Sequence, residues 1–491
     1  MARFSALLLL VAACGPKAPP PAPVAPPPPA EPAHRTGAPA PLAARPFVLP
    51  EAARGRLSNG LEVIVVENHE VPMVYVTLVH RAGSIADPAG APGTASMAWD
   101  MLNEGAGGMS AEALSLAARR LGANIDTDAG LDAGVASMST LKPNLAPSLD
   151  LFAKVLLQPD FPARDFKLLQ DRRVSDLKAA RQDPGAIAGR VWAAVNYPES
   201  YGGRLTSEDA YRKMTPAALK AWYSSHVGPK DAILLVGGDT TLAEVQPLLE
   251  ARFGKWAAPK KPASIPKAPG PEAFSTATEP TLFLVDKPGA AQSVLRVGQF
   301  VPPATAPTAA AFTLADLAIS GEFTARVNMN LREDKGWTYG AYSGVRYDQG
   351  PGLWAVRTNV VTPHTADAIA EIRKEIAASL SDRPVTADEL AAARGGLLGT
   401  WPLGFQLPGA LLSSTSDIWL YGYPADWVSG FIARHEAPDL AAVNAAWKAT
   451  IDPARFRAVV VGDAATIQAP LEALGMKVVR VDTDGKPVAV K

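Results

Sequence analysis

Two stretches of this chain, AWYSSHVGPKDAILLVGGD at residues 221–239 and AWKATIDPARFRAVVVGDA at residues 446–464, follow one plan. Each opens on a helical run that carries a tryptophan, Trp222 or Trp447. A proline turn follows, at Pro229 or Pro453, and then an apolar strand that runs into Gly-Asp, ending at Asp239 or Asp463. A second helical run closes each copy, LAEVQPLLEARF in the first and TIQAPLEAL in the second. The two aspartates stand 224 residues apart, too far for a solenoid repeat. The spacing predicts a duplicated domain of about that size. Between the copies, AAPKKPASIPKAPGPEAF (257–274) has the Pro, Lys and Gly content of a linker. The folded part therefore divides into a first domain at 47–256 and a second at 275–491.

Outward from the first copy, LEVIVVEN and MVYVTLVHRAG have strand composition and are bounded by Asn59-Gly60 and Gly83-Ser84. Helical periodicity follows at 94–104, 111–121, 146–157 and 163–181, with a short strand, VASMSTLK, between the second and third helices. Strands grouped with helices, rather than in regular βαβ alternation, predict an α+β fold with mainly antiparallel pairing.

Composition narrows the function. A net charge of −1, with 19% charged residues, lacks the basic excess of a nucleic-acid binder. The single cysteine excludes an internal disulfide and any zinc site built from several thiolates. That cysteine is Cys14, at the end of MARFSALLLLVAAC: one basic residue, an apolar run too short to span a bilayer, then small residues. Val11-Ala12-Ala13-Cys14 resembles a bacterial lipobox, which implies a signal peptide at 1–13, cleavage before Cys14 and lipidation of its thiol. Two or three acyl chains at about 0.8 kcal/mol per buried CH2 anchor a protein stably. No Asp follows the cysteine, which favours the outer membrane over the inner. Residues 15–50 hold 14 of the 46 prolines. Such a tract cannot bury a core, so 14–46 is expected to be a semi-rigid tether. GAGGMS (105–110) is no phosphate loop, since no Lys-Ser/Thr follows.

The run SNGLEVIVVEN…PMVYVTLVHRAGS…GTASMAWDMLNEGAG…LGANIDTD, continuing through FPARDFKLLQDRRVSDLKAARQDPGAIAGR and YGGRLTSEDAYRKMTPAALKAWY, resembles the first domain of the pitrilysin/insulinase (M16) metallopeptidases. GEFTARVNMNLREDKGWTYGAYSG resembles their second domain. The resemblance covers nearly everything from residue 47 onward. It implies two related α+β domains that form half of a clamshell around a peptide.

Active members carry His-x-x-Glu-His on the helix after Gly-x-Ala. Two imidazoles at i and i+4 share one helix face and a Zn2+. The glutamate activates a zinc-bound water, and a glutamate about 76 residues later completes an open three-ligand site. Here the matched positions hold Ser96, Met97, Ala98, Trp99 and Asp100, and Asp176, 76 residues after Asp100, falls close to where the distal glutamate belongs. These oxygen donors suit zinc poorly without imidazole, and Trp99 takes no proton from water. The six histidines, at 34, 69, 80, 226, 364 and 435, include no pair three or four residues apart. The chain is expected to bind no zinc and to hydrolyse nothing alone.

In LREDKGWTYGAY, Arg332 and Tyr339 are seven residues apart, on either side of a helix stop near Lys335-Gly336. In the family, an Arg and a Tyr at this spacing face the zinc across the cleft. The resemblance implies that Arg332 binds a substrate carbonyl or carboxylate and that Tyr339 donates to the oxyanion of the tetrahedral intermediate. In two-subunit bacterial members one chain carries the zinc motif and the other the Arg/Tyr pair; this chain resembles the latter. The implied partners are a zinc-bearing homologue, a peptide and, through the N-terminal lipid, the periplasmic side of the outer membrane. Two other readings stand beside it: a catalytically dead scaffold or assembly protein, and an envelope peptide-binding module.

Overall fold

The computed structural model describes residues 48–198, 200–267, 279–406 and 408–488. The signal peptide, Cys14 and the tether lie outside the described residues, as do linker positions 268–274.

Two six-stranded mixed sheets carry the molecule. The first is built from β1 (Ala52–Arg56), β2 (Glu62–Glu67), β3 (Met73–His80), β6 (Asn124–Ala129), β7 (Gly134–Leu141) and β8 (Ala232–Gly238), in the order β1-β2-β8-β3-β7-β6. A two-residue hairpin, β4 (Gly105–Ala106) with β5 (Met109–Ser110), stands apart. The second sheet contains β9 (Thr281–Asp286), β10 (Gln292–Val301), β11 (Thr338–Arg346), β12 (Gly352–Val361), β13 (Arg457–Gly462) and β14 (Lys477–Val481). Its order is β11-β12-β10-β13-β9-β14. Pairing is mainly antiparallel; β2–β8, β9–β13 and β9–β14 are the parallel pairs among the described strands. The fold is α+β, with two sheet-plus-helix domains.

Helices α1 (Thr94–Asp100), α2 (Ala111–Arg120), α3 (Leu145–Leu157), α4 (Ala163–Ala180), α5 (Pro184–Asn196), α6 (Glu208–Lys213), α7 (Pro216–His226) and α8 (Leu242–Phe253) belong to the first half. In the second half are α9 (Ala309–Asp316), α10 (Arg326–Asn328), α11 (Thr365–Ser379), α12 (Ala387–Thr400), α13 (Pro408–Tyr421), α14 (Phe431–Glu436), α15 (Leu440–Thr450) and α16 (Ala464–Glu472). Local chemistry sets many of the starts. Ser110, Asp183, Ser207, Thr215 and Asp439 each cap a helix by accepting a backbone N–H three residues on. Thr241 with Glu244, and Thr386 with Glu389, close reciprocal capping boxes.

Every residue of β8 (AILLVGG) and of β13 (RAVVVG) is buried. A strand with one wet face would alternate instead. Both faces of each sheet are covered. In the first sheet, one face packs on its own helices, with Leu149, Phe152, Leu219, Val245 and Phe253 among them. Its other face, Ile64, Val66, Ile233 and Leu235, packs against Leu411, Leu412 and Leu420 of α13, a helix of the second domain. The second sheet mirrors this. Its outer face, with Val285, Ala355, Val459 and Val461, receives Ile187, Ala188, Val191 and Trp192 of α5, a helix of the first domain.

The exchange is reciprocal and its sequence mark is visible. Pro184-Gly185-Ala186 and Pro408-Gly409-Ala410 open the two exchanged helices, 224 positions apart like the two Gly-Asp strand ends. Polar ties reinforce the join. The Arg81 guanidinium donates to the carbonyls of Leu420 (2.7 Å) and Trp419 (2.5 Å) and lies over the Trp419 ring. Asp484, beyond β14, accepts from Arg181 and Arg190 of the first domain, each at 2.6 Å.

Candidate functional site

The helix with the altered zinc motif is held at both ends. Its N-terminus turns at Gly93, whose φ of +91° only glycine adopts without strain. The buried Asp87 carboxylate accepts the backbone N–H groups of Gly93 (2.6 Å) and Ala95 (2.7 Å). Burial pushes Asp87 up to about 6, against the pull of those two donors.

Trp99, which the sequence resemblance matches to the family's general base, is completely buried. Its indole N–H donates to the Ala82 carbonyl at 3.1 Å, and its ring stands edge-on to Tyr223 at 5.7 Å. β7 begins with Gly134 because any Cβ there would collide with this ring, 1.9 Å from Cε2. The Trp99 carbonyl accepts from Thr127 Oγ1 at 2.7 Å. Trp99 is thus a core residue.

Ser96 and Asp100 lie one turn apart on α1, and both face Arg173 of α4. Arg173 forms an ion pair with Asp100, donating from Nη2 and, at 3.1 Å, from Nε to a single carboxylate oxygen. The same Nη2 lies 3.4 Å from Ser96 Oγ. Burial pushes the Asp100 carboxyl up, opposed by the Arg173 guanidinium; Asp128 adds to the rise. Burial also works against the Arg173 cation, but Asp100 outweighs it and holds Arg173 protonated more firmly than usual. Asp176, three residues further along α4, is exposed. Asp176 is the residue whose spacing lies close to that of the family's distal glutamate; the residue that α4 turns to Asp100 is Arg173.

These residues do not fit a zinc ion. They offer one hydroxyl and one carboxylate, already bonded to a guanidinium, and no imidazole. Among the described residues no three His, Cys, Asp or Glu side chains are grouped to hold a metal. Beside Ser96, a cavity of about 200 Å³ is lined by Ser84, Asp87, Arg204, Thr206 and Tyr211 among others.

Arg332 and Tyr339 come from consecutive elements of the second domain. α10 continues into a wider turn over Met329–Asp334, where the Lys335 N–H donates to the Asn330 carbonyl five residues back, at 3.0 Å. Such π-turns recur at functional sites. Arg332 sits in this turn, its guanidinium over Phe323 at 4.4 Å and 3.4 Å from Glu333. The chain reverses at Gly336 (φ +66°) and enters β11. There Tyr339 falls in the irregularity between Thr338 and Ala341 and is 91% exposed. Among the described residues, no hydrogen bond or ion pair links Arg332 or Tyr339 to Ser96, Asp100 or Arg173.

Fold and site together define a chain of two sheet-plus-helix domains whose α1 offers no imidazole to a metal. The family pattern described as "Insulinase (Peptidase family M16)" matches residues 62–188, and that described as "Peptidase M16 inactive domain" matches residues 213–397. The chain belongs to the M16 peptidase family. It is 22% identical over 286 residues to an uncharacterized zinc protease of Streptomyces coelicolor, a match covering 56% of this chain and 60% of that protein. The chain thus spans about 60% of that relative's length. Among solved structures it resembles the peptidase M16 inactive domain from Pseudomonas fluorescens, at a TM-score of 0.76 and 24% identity, covering 84% of this chain and 98% of the other. It also resembles the periplasmic protease PqqL from Escherichia coli, at a TM-score of 0.72 and 16% identity, covering 85% of this chain and 46% of the other. At these identities the structural likeness speaks for the fold.

Proposed function

We propose that this chain is the non-catalytic subunit of a two-chain M16 zinc peptidase in the bacterial envelope. Its partner is a homologue bearing His-x-x-Glu-His and the zinc ion. The observation that carries the reading is the contrast between the two halves of the site. The zinc half has been absorbed into structure: Trp99 is core and Asp100 is committed to Arg173. The other half is open: Tyr339, which no packing requirement explains, projects almost its whole side chain into solvent.

In the shared cleft Arg332 holds a peptide carbonyl or carboxylate with its planar fork. The Tyr339 hydroxyl would donate to the oxyanion of the tetrahedral intermediate; a zinc ion held by the partner would supply the activated water. A donor that acts only in the transition state raises kcat without tightening substrate binding. An envelope location, with the chain tethered through Cys14 at the outer membrane, fits the lipobox-like N-terminus and the periplasmic source of one structural neighbour.

The test is reconstitution. The full chain and a His-x-x-Glu-His homologue from the same genome are purified separately and mixed over a fluorogenic peptide library. Zinc content of each is measured by mass spectrometry. The proposal expects zinc in the homologue alone and peptide hydrolysis that needs both chains. Stoichiometric zinc in this chain, or hydrolysis by the homologue that its addition leaves unchanged, overturns it.

A further inference from the structure

The misfit between the zinc-motif positions and a zinc ion has a specific cause. We infer that Arg173 is this chain's built-in substitute for the metal: its guanidinium supplies, between α1 and α4, the positive charge that a zinc ion would supply there. The inference concerns this chain alone and holds whether or not a partner chain joins it.

Three observations carry it. First, position. Nη2 reaches both Asp100 and Ser96, the two positions one turn apart on α1 where the family motif has its histidines. A single cationic group spans the pair of positions that a metal would span. Second, the field. Asp100 is half-buried and lies within the electrostatic reach of Asp128 and Glu104, with Arg172 a weaker counter-charge than Arg173. Without Arg173, a carboxylate with two like-charged neighbours is costly to keep in the fold. Third, direction. α4 buries Phe166, Leu169, Gln170, Val174 and Leu177, and Arg173 lies on that same stripe, three and four residues after Gln170 and Leu169. Its side chain is 30% exposed, and its guanidinium is turned to Asp100 and Ser96 of α1.

The substitution has a chemical consequence. A zinc ion is shared among ligands and leaves a coordination position open to water. A guanidinium has only N–H donors, no vacant site and no accessible neutral form. Arg173 therefore joins the two helices while closing the position to Lewis-acid chemistry. It also repels any divalent cation that approaches Asp100. Loss of the histidines and the presence of Arg173 are then two parts of one replacement, and restoring imidazoles alone will not restore a metal site.

The test uses the full chain and zinc as the probe. Zinc affinity is measured by calorimetry for S96H/D100H and for S96H/D100H/R173M. The inference expects the variant without Arg173 to bind zinc at least about tenfold more tightly, a difference of about 1.4 kcal/mol. Affinities within twofold of each other overturn it. Thermal denaturation supplies a second readout. R173M is expected to lower Tm, and D100N/R173M to recover at least half of the loss, because the uncompensated carboxylate goes with its partner. An R173M variant as stable as the wild type overturns the inference. Should the methionine variants fail to fold, Arg173→Lys keeps the charge without the fork. S96H/D100H/R173K must then hold zinc as weakly as S96H/D100H, and tight binding there overturns the inference.

Discussion

The indole N–H of Trp99 donates to the carbonyl of Ala82 at 3.1 Å, from a ring with no solvent exposure. This bond and the burial of the ring make Trp99 a packing residue of α1. A glutamate at this position would lose the edge-on contact with Tyr223 and leave a carboxylate in an apolar pocket, opposite a carbonyl that offers no proton. Trp99→Glu is therefore expected to destabilise the fold severely. Removing a buried tryptophan costs about 3–5 kcal/mol before the charge is counted. Trp99→Phe, which keeps a ring and loses the bond, is expected to cost about 1–3 kcal/mol. Urea denaturation measures both, and a Trp99→Glu protein with wild-type stability would remove the argument that this position is structural.

Tyr339 predicts the opposite separation. Its side chain is 91% exposed, so Tyr339→Phe should leave the stability of the isolated chain within about 0.5 kcal/mol of wild type. In the reconstituted pair, loss of one oxyanion donor is expected to lower kcat about 10²–10³-fold with KM little changed. The informative comparison is steady-state kinetics beside a thermal melt of the same preparation. Full activity from the phenylalanine variant would eliminate the assigned role.

The exchange of α5 and α13 predicts one cooperative unit in place of two independent domains. Leu412 is buried against the first sheet and Ile187 against the second, each from the opposite domain. Ile187→Ala and Leu412→Ala should each cost about 2–5 kcal/mol. Each should also shift a single unfolding transition, because neither sheet keeps its second cover when the other domain melts. Differential scanning calorimetry checks this. Two transitions in the wild type, of which each variant moves one, would contradict the reciprocal packing.

Much of this architecture was legible in the sequence. Helical periodicity placed 94–104, 111–121, 146–157 and 163–181 within a few residues of α1 with its following turn, α2, α3 and α4. The Gly-Asp repeat announced the two related sheets. What escaped is instructive. β6, NIDTDA, alternates as a strand should, but its exposed positions are Asn124, Asp126 and Asp128, and it is a sheet edge with little apolar signal. The reciprocal covers were hidden because a helix that packs on the other domain's sheet has the same apolar face as one that packs on its own. Only the matched Pro-Gly-Ala openings tied α5 to α13. Arg173 was missed for a related reason. Spacing from the zinc motif pointed to Asp176, whereas helix phase points to Arg173, three residues after buried Gln170. A charged residue on the buried stripe of α4 was the available signal.

The last prediction concerns pH and rests on His80, fully buried at the end of β3. Its ring nitrogens lie 3.0 and 3.2 Å from the backbone N–H groups of Ala82 and Gly228. The neutral ring can accept from one of these groups; protonation removes that acceptor and sets N–H against N–H at both. Burial, the larger cause, pushes His80 down to about 3, from 6.5 for an unburied imidazole. The unfolded chain therefore binds a proton that the folded chain refuses between those two values. Stability from this group is fully present above about pH 6.5 and is lost progressively as the pH falls toward 3. Asp87 acts in the opposite sense: held up to about 6, it gains folded-state protons as the pH falls below that value. A difference measurement separates them. His80→Gln removes the imidazole's contribution and keeps that of Asp87. The stability advantage of wild type over His80→Gln should thus shrink by about 2 kcal/mol between pH 7 and pH 5, at up to about 1.4 kcal/mol per pH unit. Urea unfolding of both proteins across that range measures it. A difference that stays constant with pH would mean that His80 takes up its proton equally well in the folded and unfolded chain, against the burial seen here.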